Sequence, residues 1–299
     1  MICVFGTVCL DRIRHVQRMP VPGAYVEVDS EVLALGGEAA NTASHLARWG
    51  VNAELHGNSL AADPPGVLLE SFLAERGLAY KTREVNVEAT PVCDVYVTPD
   101  GERTMFGLGF RSMAVPDVEK FMPSEGGLFT TDGNFGDVAE SYATRAKEGG
   151  MRLYLMDLPP ESGLLGPGVI WQTSTRWVGA RGDQKRNSEL VRKLVDQTGC
   201  TAILTDSGGG ILVASPEAAV RSFPVFCRPS VRDSTGAGDT LRAGVLYGLD
   251  HGWPIGECLS FGAAAAALAA EFVGAAEGPT LSAIEAHLAL HPDVANQYA

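Results

Sequence analysis

The hydrophobic positions of this chain change period several times. Residues 2–5 form a short unbroken apolar run ending at Gly6-Thr7, the pattern of a strand covered on both faces. Residues 12–35 differ: after Pro20-Val-Pro-Gly23, apolar and polar positions alternate over 25–32, which predicts a strand pair with one face in water. The alternation returns over 90–106, where Val92, Asp94, Tyr96 and Thr98 lead into the turn Pro99-Asp100-Gly101. These two stretches are expected to pair into a small sheet apart from the main body.

From residue 41 to Gly50 the period becomes helical, with Ala43, Leu46 and Ala47 on one face. Strands are then predicted at 53–56, 128–132, 152–157, 169–172, 202–205 and 211–214. Helices are predicted at 67–76, 137–148, 188–198, 240–249, 255–270 and 282–289. Alternation of this kind predicts an α/β fold, with a mostly parallel central sheet and helices on both faces. No repeat or linker interrupts residues 1–299, so one domain is expected. A chain of this length buries roughly three quarters of its unfolded surface.

Charge narrows the partners. Acidic residues number 36 against 23 basic, for a net charge of −13. Nucleic acid and anionic membranes recruit clustered Lys and Arg, so neither is an expected partner. A phosphorylated ligand is still allowed, because backbone N–H groups at a helix start bind phosphate even in an acidic protein. The six cysteines include no Cys-x-x-Cys pair, and neither a metal knuckle nor a disulfide is expected. The first residues lack a basic leader, and the apolar run over 259–270 is too short to span a bilayer. The expected location is cytoplasmic.

Several chemistries are excluded by absence. No Gly-Lys dipeptide occurs, so there is no Walker-A loop; neither His-Glu-x-x-His nor Gly-x-Ser-x-Gly occurs. Gly236-Ala-Gly238 is followed by Leu241 where a dinucleotide fingerprint needs its third glycine. His287 and His291, four residues apart near the C-terminus, read as surface residues rather than zinc ligands.

The segment over 232–244, Arg-Asp-Ser-Thr-Gly-Ala-Gly-Asp-Thr-Leu-Arg-Ala-Gly, is where chemistry concentrates. A strand-to-helix turn accounts for one of its glycines, or two. It does not account for two small-residue steps followed directly by a carboxylate at a helix start. Gly236, Ala237 and Gly238 leave backbone N–H groups open at the positive end of a helix, an anion hole for phosphate. Asp239 is then placed to take a proton from an attacking hydroxyl, and phosphoryl transfer needs mainly alignment and charge stabilisation.

This segment resembles the second signature of the ribokinase-like (PfkB) carbohydrate kinase family. The first signature is matched by Gly36-Gly37-Glu-Ala-Ala-Asn41-Thr-Ala-Ser-His-Leu-Ala-Arg-Trp-Gly50, and Gly57 through Asp63-Pro-Pro-Gly66 is similar to the loop that follows it. The resemblance implies ATP-dependent phosphorylation of a hydroxyl on a small sugar, with Asp239 as catalytic base. It implies that Asp11, on a loop after the first strand, holds substrate hydroxyls with Gly36, Gly37 and Asn41. It implies nucleotide contacts from Thr205, Ser207, Gly208 and Gly210, where Ser207 replaces a glycine. A lid made of about 12–35 and 90–110 is implied, which in relatives also pairs into dimers, so a homodimer through the lid is part of the expectation.

Mg²⁺ is an implied cofactor, and Asp233 and Thr235 resemble positions framing a monovalent-cation site, so K⁺ is another. The family's Asn-x-x-Glu near residue 174 is absent: the stretch reads Thr173-Ser-Thr-Arg-Trp177, which leaves the metal ligands unassigned. Leu241 stands where Phe is common, a packing substitution. Two alternatives stay open: a nucleoside as acceptor on the same fold, and a degenerate kinase that binds its ligand as a regulator.

Overall fold

The computed structural model describes residues 1–80, 87–115, 117–226 and 230–298. Its strands are β1 (Ile2–Gly6), β2 (Cys9–Val16), β3 (Val28–Gly36), β4 (Ala53–Gly57), β5 (Val92–Val97), β6 (Arg103–Leu108), β7 (Leu128–Thr131), β8 (Arg152–Met156), β9 (Ile170–Ser174), β10 (Thr201–Thr205), β11 (Ile211–Ser215) and β12 (Ala218–Phe223). The helices are α1 (Glu38–Arg48), α2 (Pro64–Glu75), α3 (Asp137–Glu148), α4 (Gln184–Thr198), α5 (Ala237–Asp250), α6 (Ile255–Ala269), α7 (Leu281–Leu290) and α8 (Pro292–Ala295).

Burial along β1 sets the layers. Ile2 and Val4 enter one apolar core with residues of α1, α5 and α6, while Cys3 and Phe5 enter another with residues of α3 and α4. A strand buried on both faces belongs inside a parallel sheet. The main sheet runs β12-β11-β10-β9-β8-β7-β1-β4, parallel from β4 to β10, with β11 and β12 antiparallel at one edge. The fold is the α/β arrangement that the alternating elements predict.

The second sheet, of order β3-β2-β5-β6, is the lid of the sequence reading. Ile13, Val95 and Val97 form its buried face with Ala34, Cys93 and Val273. Asp94 receives both Arg12 and Arg14 across the strands. Its edge strands present Val32, Leu33, Met105, Phe106 and Leu108 to solvent. The alternation over 25–32 thus becomes β3, starting at Val28, and its partner β2 begins as early as Cys9.

Three boundaries differ from the pattern. Asp63-Pro-Pro-Gly66 is not a loop but the start of α2: Asp63 caps the helix by accepting the Gly66 N–H at 2.9 Å, and proline fits a first turn whose N–H has no partner anyway. α4 starts at Gln184, four residues before the expected 188, capped by Asp183 accepting the Arg186 N–H. β12 is an edge strand with most of its side chains in water, which hides it from a hydrophobicity pattern.

His287 is buried against the Phe226 ring rather than on the surface, with its own ring 4.5 Å from that of His291. Five cysteines are free thiols, and Cys227 lies outside the described residues. Among the described residues, no helix is long and apolar enough to cross a membrane.

Candidate active site

Ligands of open parallel sheets bind beyond the carboxyl ends of the strands. Here the turns after β1, β7, β8, β9 and β10 open into one cleft of about 820 Å³, which the lid and the start of α5 complete. That size suits a ligand of a few hundred daltons. Asp11, Gly37, Asn41, Thr205, Ser207, Gly208, Gly210 and the stretch from Thr235 to Asp239 all line it. Gly36 and Asp233, also singled out in the sequence, do not.

Those two act from behind. A Cβ on Gly36 would sit 2.2 Å from the Asp11 carboxyl carbon, so the glycine is the space that Asp11 occupies. Asp233 accepts the Thr235 N–H at 2.8 Å and the Gly274 N–H at 3.1 Å, pinning the segment that leads into α5. Gly37 has φ 95° and a Cβ there would strike the Thr7 carbonyl, so no other residue fits the start of α1.

Asp11 lies within β2, between Ala34 of β3 and Cys93 of β5, and not on a loop as expected. The strand begins directly after the β1 turn, and Asp11 is among its first residues. Burial raises its pKa to about 7, helped by the charges of Asp233 and Asp239 and opposed by a hydrogen bond from the Cys9 thiol.

Asn41 is inside α1 rather than at its cap. It is buried, donates from Nδ2 to Asp239 Oδ2 at 2.8 Å, and leaves Oδ1 buried with no partner among the described residues. An unpartnered buried acceptor beside a cleft is costly unless a ligand or water fills it.

Asp239 sits in the first turn of α5, buried to 5% exposure. Gly236, at φ 77°, turns the chain into α5, and Gly236, Ala237 and Gly238 all line the cleft. The sequence reading missed what surrounds the carboxylate. Arg242, one turn on and fully buried, lies 3.4 Å from Asp239 Oδ1. Its Nε donates to Thr42 Oγ1 at 2.9 Å and its Nη2 to the Glu38 carbonyl at 2.6 Å.

Around this guanidinium stand Glu38, Asp132 and Asp157. All three carboxyl groups are pushed up, chiefly by burial, while the positive charge of Arg242 pulls them back. Asp239 follows the same balance: burial raises it to about 6, Arg242 and the Asn41 hydrogen bond oppose, and Asp132 and Asp157 add to the rise. The i, i+3 spacing of Asp239 and Arg242 is the sequence signal that could have found this pair. Gln172 supports the loop from below, donating to the Gly238 carbonyl at 3.1 Å while accepting from the Tyr154 hydroxyl.

On the far side, β10 ends in a 3₁₀ turn over Ser207–Gly209. Ser207 has φ 48°, the left-handed region that favours glycine, which explains why a glycine is usual where this serine stands. The stretch after β9 is tied to this turn: Thr175 N–H donates to the Thr205 carbonyl, and Thr175 Oγ1 to Asp206 at 2.7 Å. Arg176 and Trp177 follow at the cleft. Leu241 is buried against Gly262 of α6, the packing role expected of it. Among the described residues, no cluster of three Asp, Glu, His or Cys side chains could hold a metal ion.

The model of the pfkB family of carbohydrate kinases matches residues 1–114 and 174–281. The chain belongs to that family. Relatives include an uncharacterised sugar kinase of Dictyostelium discoideum, 26% identical over 97% of this chain and 98% of its own. A nucleoside kinase of Methanocaldococcus jannaschii is 25% identical over 91% and 90%. Among solved structures, Arabidopsis thaliana ribokinase complexed with ribose and ATP superposes with a TM-score of 0.78 at 22% identity, covering 96% of this chain and 98% of that one. At that identity the superposition speaks for the fold: a ribokinase-like α/β body with its small lid sheet. As a pfkB kinase, the protein is a phosphotransferase acting on a hydroxyl.

Proposed function

We propose that the protein transfers the γ-phosphoryl group of ATP to a hydroxyl of a small sugar. The observation that carries this reading is Asp239 itself. It is a buried carboxylate facing a cleft of ligand size, beside an open helix start and in contact with Asn41.

Asp239 takes the proton of the attacking hydroxyl as the oxygen–phosphorus bond forms. The N–H groups from Gly236 to Gly238 receive the charge that develops on the phosphoryl oxygens. Such donors are worth about 3–4 kcal/mol each in the transition state. Asp11, Gly37 and Asn41 hold the acceptor's other hydroxyls, with the free Oδ1 of Asn41 accepting from one of them. Thr205, Ser207, Gly208 and Gly210 hold the nucleotide on the opposite side of the loop. The lid sheet keeps water from the reacting phosphate.

Mg²⁺ enters this proposal with the donor, because it keeps most of its ligands as water and phosphate oxygen. The described residues offer no cage for it, so no step is assigned to a protein-held metal. Asp233 and Thr235, whose Oγ1 is buried without a partner among the described residues, are the residues that would hold K⁺. The apolar side chains on the lid's edge strands suit a homodimer formed through the lid. ATP as donor and five unpaired thiols suit a cytoplasmic location.

A panel of sugars and nucleosides assayed for ADP release tests the acceptor. Turnover with sugars is expected; turnover confined to nucleosides would reassign the acceptor. Thermal stabilisation by ligand with no phosphorylated product would make the protein a regulator instead.

Gly238→Ala tests the anion hole. A Cβ there meets nothing nearer than Gln172 Nε2 at 3.8 Å, so the methyl enters the open cleft. Alanine also favours a helix by about 0.5–1 kcal/mol over glycine. The variant should melt at the same or a slightly higher temperature while its KM for ATP rises about tenfold or more. Unchanged kinetics would remove Gly238 from the phosphate site.

A further inference from the structure

Two guanidinium groups of the cleft are left unused by the mechanism above. Arg103 comes from the start of the lid strand β6 and reaches the main body, where its Nη1 donates to Ser234 Oγ at 3.0 Å. Its Nε is buried and has no partner among the described residues. Arg176 follows β9, lines the same cleft, and makes no side-chain hydrogen bond or ion pair with another described residue.

Neither arginine has a carboxylate within ion-pair distance among the described residues, although the cleft holds Asp11, Asp157 and Asp239. Arg181, by contrast, lies 4.0 Å from Glu102. Arg103 is easier to deprotonate than usual, first because it is buried and next because the positive charge of Arg176 is near; Asp233, Asp239 and Glu102 act the other way. Like charges brought together with open hydrogen-bond positions await an anion.

Position says which anion. Ser234 stands two residues before Gly236. Arg176 is tied to the turn after β10 through its neighbour Thr175, whereas Asp11 and Asn41 lie toward the β1 side of the cleft. A group that both arginines reach therefore lies over the phosphate loop on the nucleotide side.

We infer that Arg103 and Arg176 form a clamp on the β- and γ-phosphates of the donor, one arginine delivered by the lid and one fixed on the sheet. The clamp puts positive charge in the very stretch where the family pattern has a carboxylate. This inference rests on the kinase reading, and it gives a role to two arginines that lie outside the two signatures.

The test is calorimetric titration of the full chain with AMP and with adenosine 5′-(β,γ-imido)triphosphate, for the wild type and for Arg103→Gln, Arg176→Gln and Arg176→Lys. Each Gln variant should bind the triphosphate analogue about tenfold or more weakly. AMP affinity should stay at the wild-type value, and Arg176→Lys should recover part of the loss. Arg176 is exposed, so its replacement leaves the fold intact and keeps the test decisive if Arg103→Gln is unstable. Equal losses for AMP and the triphosphate analogue would overturn the clamp, as would no loss for either, or a change confined to the acceptor's KM. A wild-type protein that binds no adenine nucleotide would instead overturn the kinase reading beneath it.

Discussion

Asp239→Asn is expected to lose turnover by about 10²-fold or more while ATP still binds. The amide keeps the size of the carboxylate but cannot take the acceptor's proton. The helix start and the glycine loop are unchanged, so donor affinity should stay within a small factor of wild type. The ionisation of Asp239 predicts the pH profile as well. Burial lifts its pKa to about 6, so wild-type kcat/KM should fall as pH drops through about 6, and the variant should lack that limb. Near-wild-type activity in Asp239→Asn would sink the base assignment.

The stability counterpart has a definite sign. Asp239 and Asp11 have raised pKa values when folded, to about 6 and about 7, so between the ordinary carboxylate range and those values the folded state holds the extra proton. Both groups therefore lower stability as pH rises through that window, and the protein gives up stability to keep these acids where it needs them.

Arg242→Met should have the second largest effect, and on two observables. The guanidinium is fully buried, and its charge acts on Glu38, Asp132, Asp157 and Asp239. Removing one partner of a buried ion pair costs about 3–5 kcal/mol, because the remaining charge is left uncompensated. A denaturant titration at neutral pH should show a loss of that order, smaller at low pH where the carboxyl groups protonate. The acidic limb of kcat/KM should also move to higher pH, since the charge that holds Asp239 ionised is gone. Arg242→Lys should restore part of the pH effect and little of the hydrogen bonding to Thr42 and Glu38. An unshifted limb in Arg242→Met would mean that Arg242 packs the helix without tuning the base.

Much of this was legible in the sequence, and for a physical reason. The main sheet announces itself because strands buried on both faces must be apolar throughout, as in Ile2–Gly6. The lid announces itself because its strands alternate. The glycine-rich turn before Asp239 is legible because few residues other than glycine can adopt φ 77° there.

What was not legible depended on three-dimensional meeting. Asp132 and Asp157 follow β7 and β8, neighbours in the sheet, and both stand far from Asp239 in sequence, so one chain alone gave no reason to join them to it. Arg103 is an ordinary polar residue after a turn until the lid folds back and places it on Ser234. Asp63-Pro-Pro-Gly66 misled because proline ends helices more visibly than it begins them. Gly36 and Asp233 were recognised as important, but their roles, making room for Asp11 and pinning the phosphate loop, are packing relations that no motif states.

The central claim is that one buried carboxylate and one open helix start carry phosphoryl transfer to a hydroxyl. It is tested most directly by incubating the enzyme with ATP and a responsive acceptor and counting products by phosphorus NMR. One phosphate ester of the acceptor should form per ADP released, with negligible inorganic phosphate, and both should vanish together in Asp239→Asn. ADP accompanied by inorganic phosphate and no ester would contradict the account.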